Sequence, residues 1–228
     1  MIHIGDKWGK KYDYIRYYIP FRIKYGIKFT NWQRHGEIWK DPTMYDKPYF
    51  IPRAGDIVFD IGSQYGDYAI LWEKRNKAKV YAFEILLRNW MEMQKDIQLN
   101  ECGVQAYNMA IGNGENVWYN ADSNMAIKAE SSDFWSTTIR LDDFVKTYNI
   151  IPQIIKIDVE GFELHVLEGA KDTLQTYRPK IIIETHSKEL RQKCDTFLNS
   201  LGYSLFFEGR YGNASGWMDE VVNLFYGR

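Results

Sequence analysis

From residue 56 onward, short runs rich in β-branched residues alternate with longer stretches whose apolar residues recur at helical spacing. This alternation is typical of a doubly wound α/β fold with a mostly parallel sheet. The seven predicted strands are Ile57–Ile61, Lys79–Phe83, Val104–Met109, Ile154–Asp158, Lys180–Glu184, Tyr203–Phe207 and Val221–Phe225. The predicted helices are Tyr65–Arg75, Leu86–Leu99, Leu141–Tyr148, Glu163–Thr176 and Ser187–Leu201. Since no helix separates the last two strands, we expect at least one of them to run antiparallel at the sheet edge.

The first 50 residues follow a different pattern, and we treat them as an extension that precedes an α/β domain over residues 51–228. Asp6 is expected to cap a short helix that ends near Pro20. Apolar residues then alternate with Arg, Lys and Gly from Phe21 to Phe29, which predicts a strand with one apolar and one basic face. The extension carries a net charge of +5, and the remainder of the chain carries −6.

Composition narrows the classes of protein to which the chain can belong. Its 228 residues, 45% hydrophobic and 26% charged, fit one globular domain, and a net charge of −1 argues against a polyanion binder. Cys102 and Cys194 are far apart and lack a CxxC pattern, so neither a disulfide framework nor a zinc site is predicted. No stretch approaches the roughly 20 apolar residues of a membrane span, and the first residues do not resemble a signal peptide. We therefore expect a cytoplasmic protein with no transmembrane segment.

The end of the first predicted strand carries a glycine-rich turn with the residues Asp60, Gly62, Ser63 and Gly66. Open α/β sheets bind nucleotides at this point. The G-x-x-x-G spacing lacks the G-x-G-x-x-G pattern of dinucleotide sites and so argues against NAD. A carboxylate at Asp60 would repel a pyrophosphate but favour a cationic ligand such as S-adenosylmethionine, with its ammonium and sulfonium groups. The alternative is that Asp60 and the glycines only form a tight turn.

Glu84 follows the second predicted strand, at the same edge of the sheet as Asp60. An acid at this place can accept hydrogen bonds from both hydroxyls of a ribose, although it can equally be an N-terminal acid of the next helix. Ala110 and Ile111, after the third strand, are small and apolar enough to form a wall for an adenine ring. Together these residues predict a site for S-adenosylmethionine.

Charged residues also alternate at the end of the strand that begins at Ile154. Lys156, Asp158 and Glu160 share one face by their period of two, and Glu184 and His186 end the following strand in the same way. Charges in a central strand destabilise it unless they are paired or functional. Asp158 and Glu160 suit an oxygen-ligand site, but the sequence offers no third ligand and an ion pair with Lys156 satisfies them equally. We therefore predict no metal.

The sequence is similar to the FkbM family of S-adenosylmethionine-dependent methyltransferases. The segments that carry the similarity are VFDIGSQYGDY, VYAFE, NMAIG, TTIRLDDF, KIDVEGFELHVLEGA and IIIETH, in family order over roughly residues 50–190. The resemblance implies the Rossmann-like class I methyltransferase fold, cofactor contacts at Asp60, Gly62, Gly66 and Glu84, and a methyl-transfer crevice at Asp158, Glu160 and His186. Ser63 and Gln64 stand where the family commonly has Ala and Asn.

The resemblance implies O-methylation, and we expect the acceptor to be a hydroxyl of a sugar, another glycan or a small metabolite. His186 is the leading candidate for the general base because imidazole is unprotonated near neutrality; Asp158 is the second candidate, and Glu160 and Glu184 would orient the acceptor. The basic extension supports an RNA methyltransferase as the alternative, but nucleic acid is disfavoured because the strand after Ile154 lacks an amino-methylation motif. A dehydrogenase and a non-catalytic partner protein are weaker alternatives.

The place of the extension follows from the same argument. We expect its apolar face to pack on the core and its side chains Lys24 and Lys28 to lie near the acceptor entrance, where they would suit an acidic acceptor. Equally, the extension can be an added strand that only covers an edge of the sheet.

Overall fold

The computed structural model describes residues 13–35, 38, 40–120, 134–210 and 221–228. In chain order, the strands are β1 (Ile57–Ile61), β2 (Lys79–Glu84), β3 (Gln105–Asn108), β4 (Ile111–Gly112), β5 (Asn116–Trp118), β6 (Trp135–Thr137), β7 (Ile139–Arg140), β8 (Ile154–Ile157), β9 (Lys180–Thr185), β10 (Ser204–Arg210) and β11 (Val222–Gly227). The α-helices are α1 (Ile19–Tyr25), α2 (Asp67–Asn76), α3 (Leu87–Leu99), α4 (Leu141–Tyr148), α5 (Glu163–Gly169), α6 (Lys171–Tyr177) and α7 (Lys188–Ser200). A π-helical turn precedes α1 at Tyr14–Tyr18, and a 3₁₀ turn follows at Trp32–Arg34.

Seven strands form one sheet in the order β10-β11-β9-β8-β1-β2-β3. Every pair is parallel except the two that include β11, which confirms the doubly wound, mostly parallel fold. The antiparallel strand does not lie at the edge as expected. It lies between β9 and β10, because its residues hydrogen-bond to strands on both sides. Two separate pairs, β4 with β7 and β5 with β6, lie outside this sheet.

Each face of the sheet has its own apolar layer. Side chains of α2, α3 and the extension pack against alternate residues of the strands, such as Val58 and Val80. The other alternate residues, such as Phe59 and Ile155, face α5, α6 and α7 on the opposite side. The parallel strands between these two layers all end at the same edge of the sheet, where their carboxyl ends are open to a ligand. Within the described ranges, we find no helix with the length and apolar character that crossing a membrane requires.

The predicted helix Glu163–Thr176 is interrupted and forms α5 and α6, with the break at Ala170. Gly169 packs so closely on the backbone of Gly112 that a Cβ there would lie 1.7 Å from the Gly112 carbonyl oxygen. Asp142 then caps the second helix, since its carboxylate accepts hydrogen bonds from the backbone N–H groups of Asp172 and Thr173. Close packing and a cap from another helix are tertiary effects that the local pattern does not reveal.

The strand predicted for Phe21–Phe29 is wrong. This segment is helical through Pro20. The helix ends at Gly26, whose φ of 69° suits glycine. Pro20 is the second residue of α1, directly after the π-helical turn at Tyr14–Tyr18. Phe21 is consequently buried and Ile23 is 79% exposed, although a strand would place them on one face. The helix expected to start at Asp6 begins outside the described residues.

His35 fixes the extension to the two helices beneath it. The ring is buried, stacks on Phe29 with ring centroids 3.9 Å apart, and pairs through Nδ1 with Asp67 at the start of α2. Its Nε2 lies 3.1 Å from Asp96 Oδ2 of α3. Burial alone would lower the pKa of His35, but the charges and hydrogen bonds of Asp67 and Asp96 outweigh it and raise the pKa to about 9.

The contacts of His35 with Asp67 and Asp96 predict a specific dependence of stability on pH. The folded pKa of about 9 exceeds the ordinary value of 6.5, so the stabilisation is complete below pH 6.5 and is lost as the pH rises through 9. The difference corresponds to roughly 3 kcal/mol of unfolding free energy. In urea titrations between pH 6 and 10, the loss should be smaller by this amount in His35→Gln than in the wild type; a loss remains because the pKa of His186 is also raised. His165→Gln should show the full wild-type loss, and an equally large loss in His35→Gln would contradict the interpretation.

Candidate functional site

A cleft with about 1150 Å³ of empty space, part of it open to solvent, lies at the carboxyl ends of β1, β2 and β8. It brings together most of the residues that the sequence singles out. Those that line it are Asp60, Gly62, Ser63, Glu84, Ala110, Ile111, Asp158, Glu160 and Glu184. Gly66 lies outside this lining, against Met93, and His186 lies among the acids. The predicted donor and methyl-transfer residues therefore share one cleft.

The turn between β1 and α2 needs glycine at Gly62 and Gly66. Both adopt a positive φ, 76° and 78°, which disfavours other residues. A Cβ at Gly62 would lie 1.7 Å from the carbonyl oxygen of Asp158, so β1 and β8 approach each other closely here. Ser63 Oγ donates a hydrogen bond to the carbonyl oxygen of Phe83, which ties the turn to β2. The turn is held on both sides by the neighbouring strands.

Gly62→Ala is expected to destabilise the fold by about 3 kcal/mol or more, because the added methyl group meets backbone and the φ is strained. Gly103→Ala is the matched control, since a Cβ at Gly103 meets no atom within 4 Å. Melting temperatures of the two variants measure the difference. Equal melting temperatures for both variants would contradict the close approach of β1 and β8.

Glu84 is buried at the end of β2, where its carboxylate organises the turn. Oε2 accepts a hydrogen bond from the backbone N–H of Gln64 at 2.9 Å, and Oε1 accepts one from Leu86 at 2.8 Å. Asn89 Nδ2 lies 3.4 Å from the same Oε1. Burial raises the pKa of Glu84 to about 7, although these hydrogen bonds oppose the shift. Oε2, which accepts from Gln64 alone among these donors, keeps a lone pair for a further donor from the cleft.

Asp60 and Asp158 share the ammonium of Lys156 at the ends of β1 and β8. Lys156 Nζ lies 3.4 Å from Asp60 Oδ1 and 3.2 Å from Asp158 Oδ2, and it donates to the carbonyl oxygen of Gly62. Asp60 is 1% exposed, and burial raises its pKa. Asp60 also lines the cleft, so its carboxylate suits a cationic group of a ligand.

His186 is surrounded by four carboxylates. Its Nε2 lies 3.3 Å from Glu160 Oε2, 3.6 Å from Glu184 Oε1 and 3.7 Å from Asp158 Oδ1, and its Nδ1 lies 3.3 Å from Glu163 Oε1. Burial disfavours the charged imidazole, but the hydrogen bonds and charges of the acids outweigh it and raise the pKa of His186 to about 11. A raised pKa favours the protonated imidazole near neutrality and so argues against His186 as the general base.

Glu184 faces the same cluster from β9. The hydroxyl of Tyr45 donates a hydrogen bond to Glu184 Oε2 at 3.4 Å. Burial and the nearby charge of Asp158 raise the pKa of Glu184 to about 7, against the opposing effect of His186. A carboxyl group with a pKa near the working pH is suited to proton transfer.

Sequence reasoning missed two residues of this region. Tyr45 belongs to the extension and lines the cleft, with the ammonium of Lys156 5.8 Å from its ring. Glu163 is fully buried at the start of α5, and its Oε1 lies 3.3 Å from Nδ1 of His186. The alternation of charges in the strands gives no sign of either residue, because one comes from a loop and the other from a helix.

Lys28, one of the basic residues of the extension, lies away from the cleft. The backbone N–H of Lys28 donates to Asn100 Oδ1 at 2.8 Å, at the C-terminal end of α3. The cleft lies at the opposite end of this helix, near Asn89, and the 13 residues of α3 span roughly 20 Å. The expectation that Lys28 lies near the acceptor entrance is therefore wrong.

Solved structures of methyltransferases share the fold of this chain. The chain superposes on the methyltransferase FkbM from Methylobacillus flagellatus KT with a TM-score of 0.55 and 16% identity, over 80% of this chain and 47% of that one. For a methyltransferase from Pyrococcus furiosus the values are 0.52 and 13%, over 96% and 98%. For the Bacillus subtilis m1A22 tRNA methyltransferase TrmK they are 0.52 and 16%, over 82% and 64%.

These likenesses show the fold, and the chain spans about half the length of the Methylobacillus protein. No curated protein matches the chain. The sequence profile of the methyltransferase FkbM domain, however, matches residues 60–205, which include β1, the glycine turn and the acidic cluster around His186. The chain therefore belongs to the FkbM family of methyltransferase domains and has their class I, Rossmann-like fold.

Proposed function

We propose that this protein is an S-adenosylmethionine-dependent O-methyltransferase whose acceptor is a hydroxyl group of a sugar or another small metabolite. One observation carries the proposal: Asp60 and Glu84, two buried carboxylates on adjacent strand ends, open into the same cleft as the cluster of Asp158, Glu160 and Glu184. A donor site and a proton-accepting site thus lie side by side.

The donor half of the cleft suits S-adenosylmethionine. The carboxylate of Asp60 would accept from the ammonium group of the methionine portion, and the carboxylate of Glu84 would accept from the ribose hydroxyls. Ala110 and Ile111, with Met109 beside them, provide an apolar wall for the adenine. The bound donor supplies a methyl carbon that its sulfonium already activates for displacement.

The remaining task of the protein is to hold the acceptor oxygen in line and to remove its proton. We assign the removal of this proton to Glu184, which lines the cleft and is oriented by the hydroxyl of Tyr45. His186 lies between carboxylates and would hold Asp158 and Glu160 in place for the acceptor. This order of roles replaces the one in which His186 is the base.

A small acceptor fits better than RNA. Tyr45 covers part of the cleft, and the basic segment around Lys28 lies at the far end of α3. An RNA substrate would need positive charge near the entrance to neutralise phosphates. The acids Asp158, Glu160 and Glu184 line this part of the cleft and disfavour a polyanion.

Labelled product profiling tests the proposal. The protein is incubated with S-adenosylmethionine carrying a deuterated methyl group and, in separate reactions, with a metabolite extract or total RNA. We expect the label in an O-methylated small molecule, and Glu84→Ala should abolish it. Label that appears only in RNA would contradict the proposed acceptor, and no label in either pool would contradict the proposed activity.

A further inference from the structure

We propose that Asp158, Glu160 and His186 bind a divalent first-row transition metal ion at the acceptor end of the cleft. The proposal goes beyond methyl transfer, because it depends on the donor atoms of these side chains and not on the identity of the methyl donor or acceptor. The sequence offered Asp158 and Glu160 without a third ligand. The fold supplies that ligand from the end of β9.

The spacing of the donor atoms fits one ion. One ligand atom from each of the three residues lies within 4.8 Å of the others. His186 Nε2 lies 3.3 Å from Glu160 Oε2 and 3.7 Å from Asp158 Oδ1. Ligands that are about 2.1 Å from a common metal are roughly 3 to 3.5 Å apart when they are neighbours in its coordination shell. The two distances from His186 Nε2 are close to this range.

Glu163 provides an independent observation. It is 0% exposed, its Oε1 lies 3.3 Å from His186 Nδ1, and its other oxygen has no hydrogen-bond partner among the described residues. The same Oε1 accepts hydrogen bonds from the backbone N–H groups of Val159 and Gly161, which fix the carboxylate in place. The negative charge of this buried carboxylate, 3.3 Å from Nδ1, favours a proton on that nitrogen and leaves Nε2 as the atom for a metal, as in many metal-bound histidines.

The charges around the site also favour a cation. Five carboxyl groups, those of Asp60, Asp158, Glu160, Glu163 and Glu184, lie around His186 and Lys156. Lys156 is shared by Asp60 and Asp158, which leaves an excess of negative charge on the side of His186. A divalent ion on Nε2 would offset more of this charge than a proton on the same atom.

The mixed nitrogen and oxygen ligands indicate the class of metal. Imidazole favours transition metals over Mg²⁺ and Ca²⁺, while two carboxylates suit Mn²⁺, Fe²⁺ or Zn²⁺. Three protein ligands leave coordination positions open towards the cleft. A hydroxyl oxygen of the acceptor that occupied one of them would lose its proton more readily, and Glu184 lies within reach to take it.

Calorimetry with the metal alone tests this site. Chelator-treated wild-type protein is titrated with MnCl₂ and with ZnCl₂, and bound Mn²⁺ is followed by electron paramagnetic resonance. We expect one ion per chain. Glu160→Gln and His186→Gln should each weaken binding by at least ~10- to 100-fold, the range known for changes around metal ligands. Glu189→Gln, an exposed carboxylate on α7, is the matched control and should bind as the wild type does.

Glu160 is partly exposed, so its glutamine variant should fold even if His186→Gln does not, and circular dichroism checks both. Wild-type binding that is absent, or that is no tighter than in folded Glu160→Gln, overturns the proposal. Binding of Mg²⁺ alone that does not depend on His186 also overturns it. A parallel titration with S-adenosylhomocysteine separates the two proposals: if it binds and the metals do not, only the metal site fails.

Discussion

Replacing Glu84 by alanine should lower the affinity for S-adenosylhomocysteine by about 10²-fold or more. Hydrogen bonds to a charged group contribute roughly 1.5–3 kcal/mol each, and the ribose offers two hydroxyls to this carboxylate. Glu84→Gln keeps the size of the side chain and one acceptor oxygen, so its loss should be smaller, about tenfold. Calorimetric titration of the three proteins gives the order directly.

Glu189→Ala serves as the control for this series, because Glu189 is exposed on α7 and does not line the cleft. Since Glu84 also accepts hydrogen bonds from Gln64 and Leu86, circular dichroism should accompany each titration. Unchanged affinity in a folded Glu84→Ala variant would remove this residue from the donor site.

Glu184→Gln should lower turnover by roughly 10²-fold or more while the affinity for S-adenosylhomocysteine stays within a few-fold of wild type. The reason is that general-base groups typically contribute this much to the rate, whereas Glu184 lies at the acceptor end of the cleft and not at the donor end. The measurement is the initial rate with the acceptor found by label profiling, at several pH values.

Tyr45→Phe offers a graded companion, since it removes the hydroxyl that donates to Glu184 and leaves the ring in place. It should slow turnover less than Glu184→Gln does. If Glu184→Gln turns over normally and Asp158→Asn is inactive, the base is Asp158 instead.

The pattern of the chain predicted the central sheet well, because strands such as β1, β8 and β9 are short buried runs bounded by a helix or a turn. All seven strands appear within a few residues of their predicted bounds. The order of the last two strands depends on pairing between distant segments, and the pattern could not place β11 inside the sheet. The strand predicted for the extension was wrong for a different reason: the run from Phe21 to Tyr25 is compatible with both a strand and a helix.

The sequence predicted the part of the site that is formed by residues at the ends of the strands. Asp60, Glu84 and Asp158 follow strands whose carboxyl ends meet at one edge, so their convergence follows from the parallel topology. The surroundings of His186 were not predictable. Glu163 and Glu160 reach it from the turn and helix after β8, and their effect on the imidazole depends on distances that no spacing in the sequence specifies.

Calorimetric titration of the wild-type protein with S-adenosylhomocysteine and, separately, with NAD tests the central claim most directly. The glycine turn and Asp60 disfavour a pyrophosphate, whereas Asp60 and Glu84 together suit the methionine portion and the ribose. We expect binding of S-adenosylhomocysteine with one site per chain and no measurable binding of NAD. Equal binding of NAD, or none of S-adenosylhomocysteine, would contradict the account.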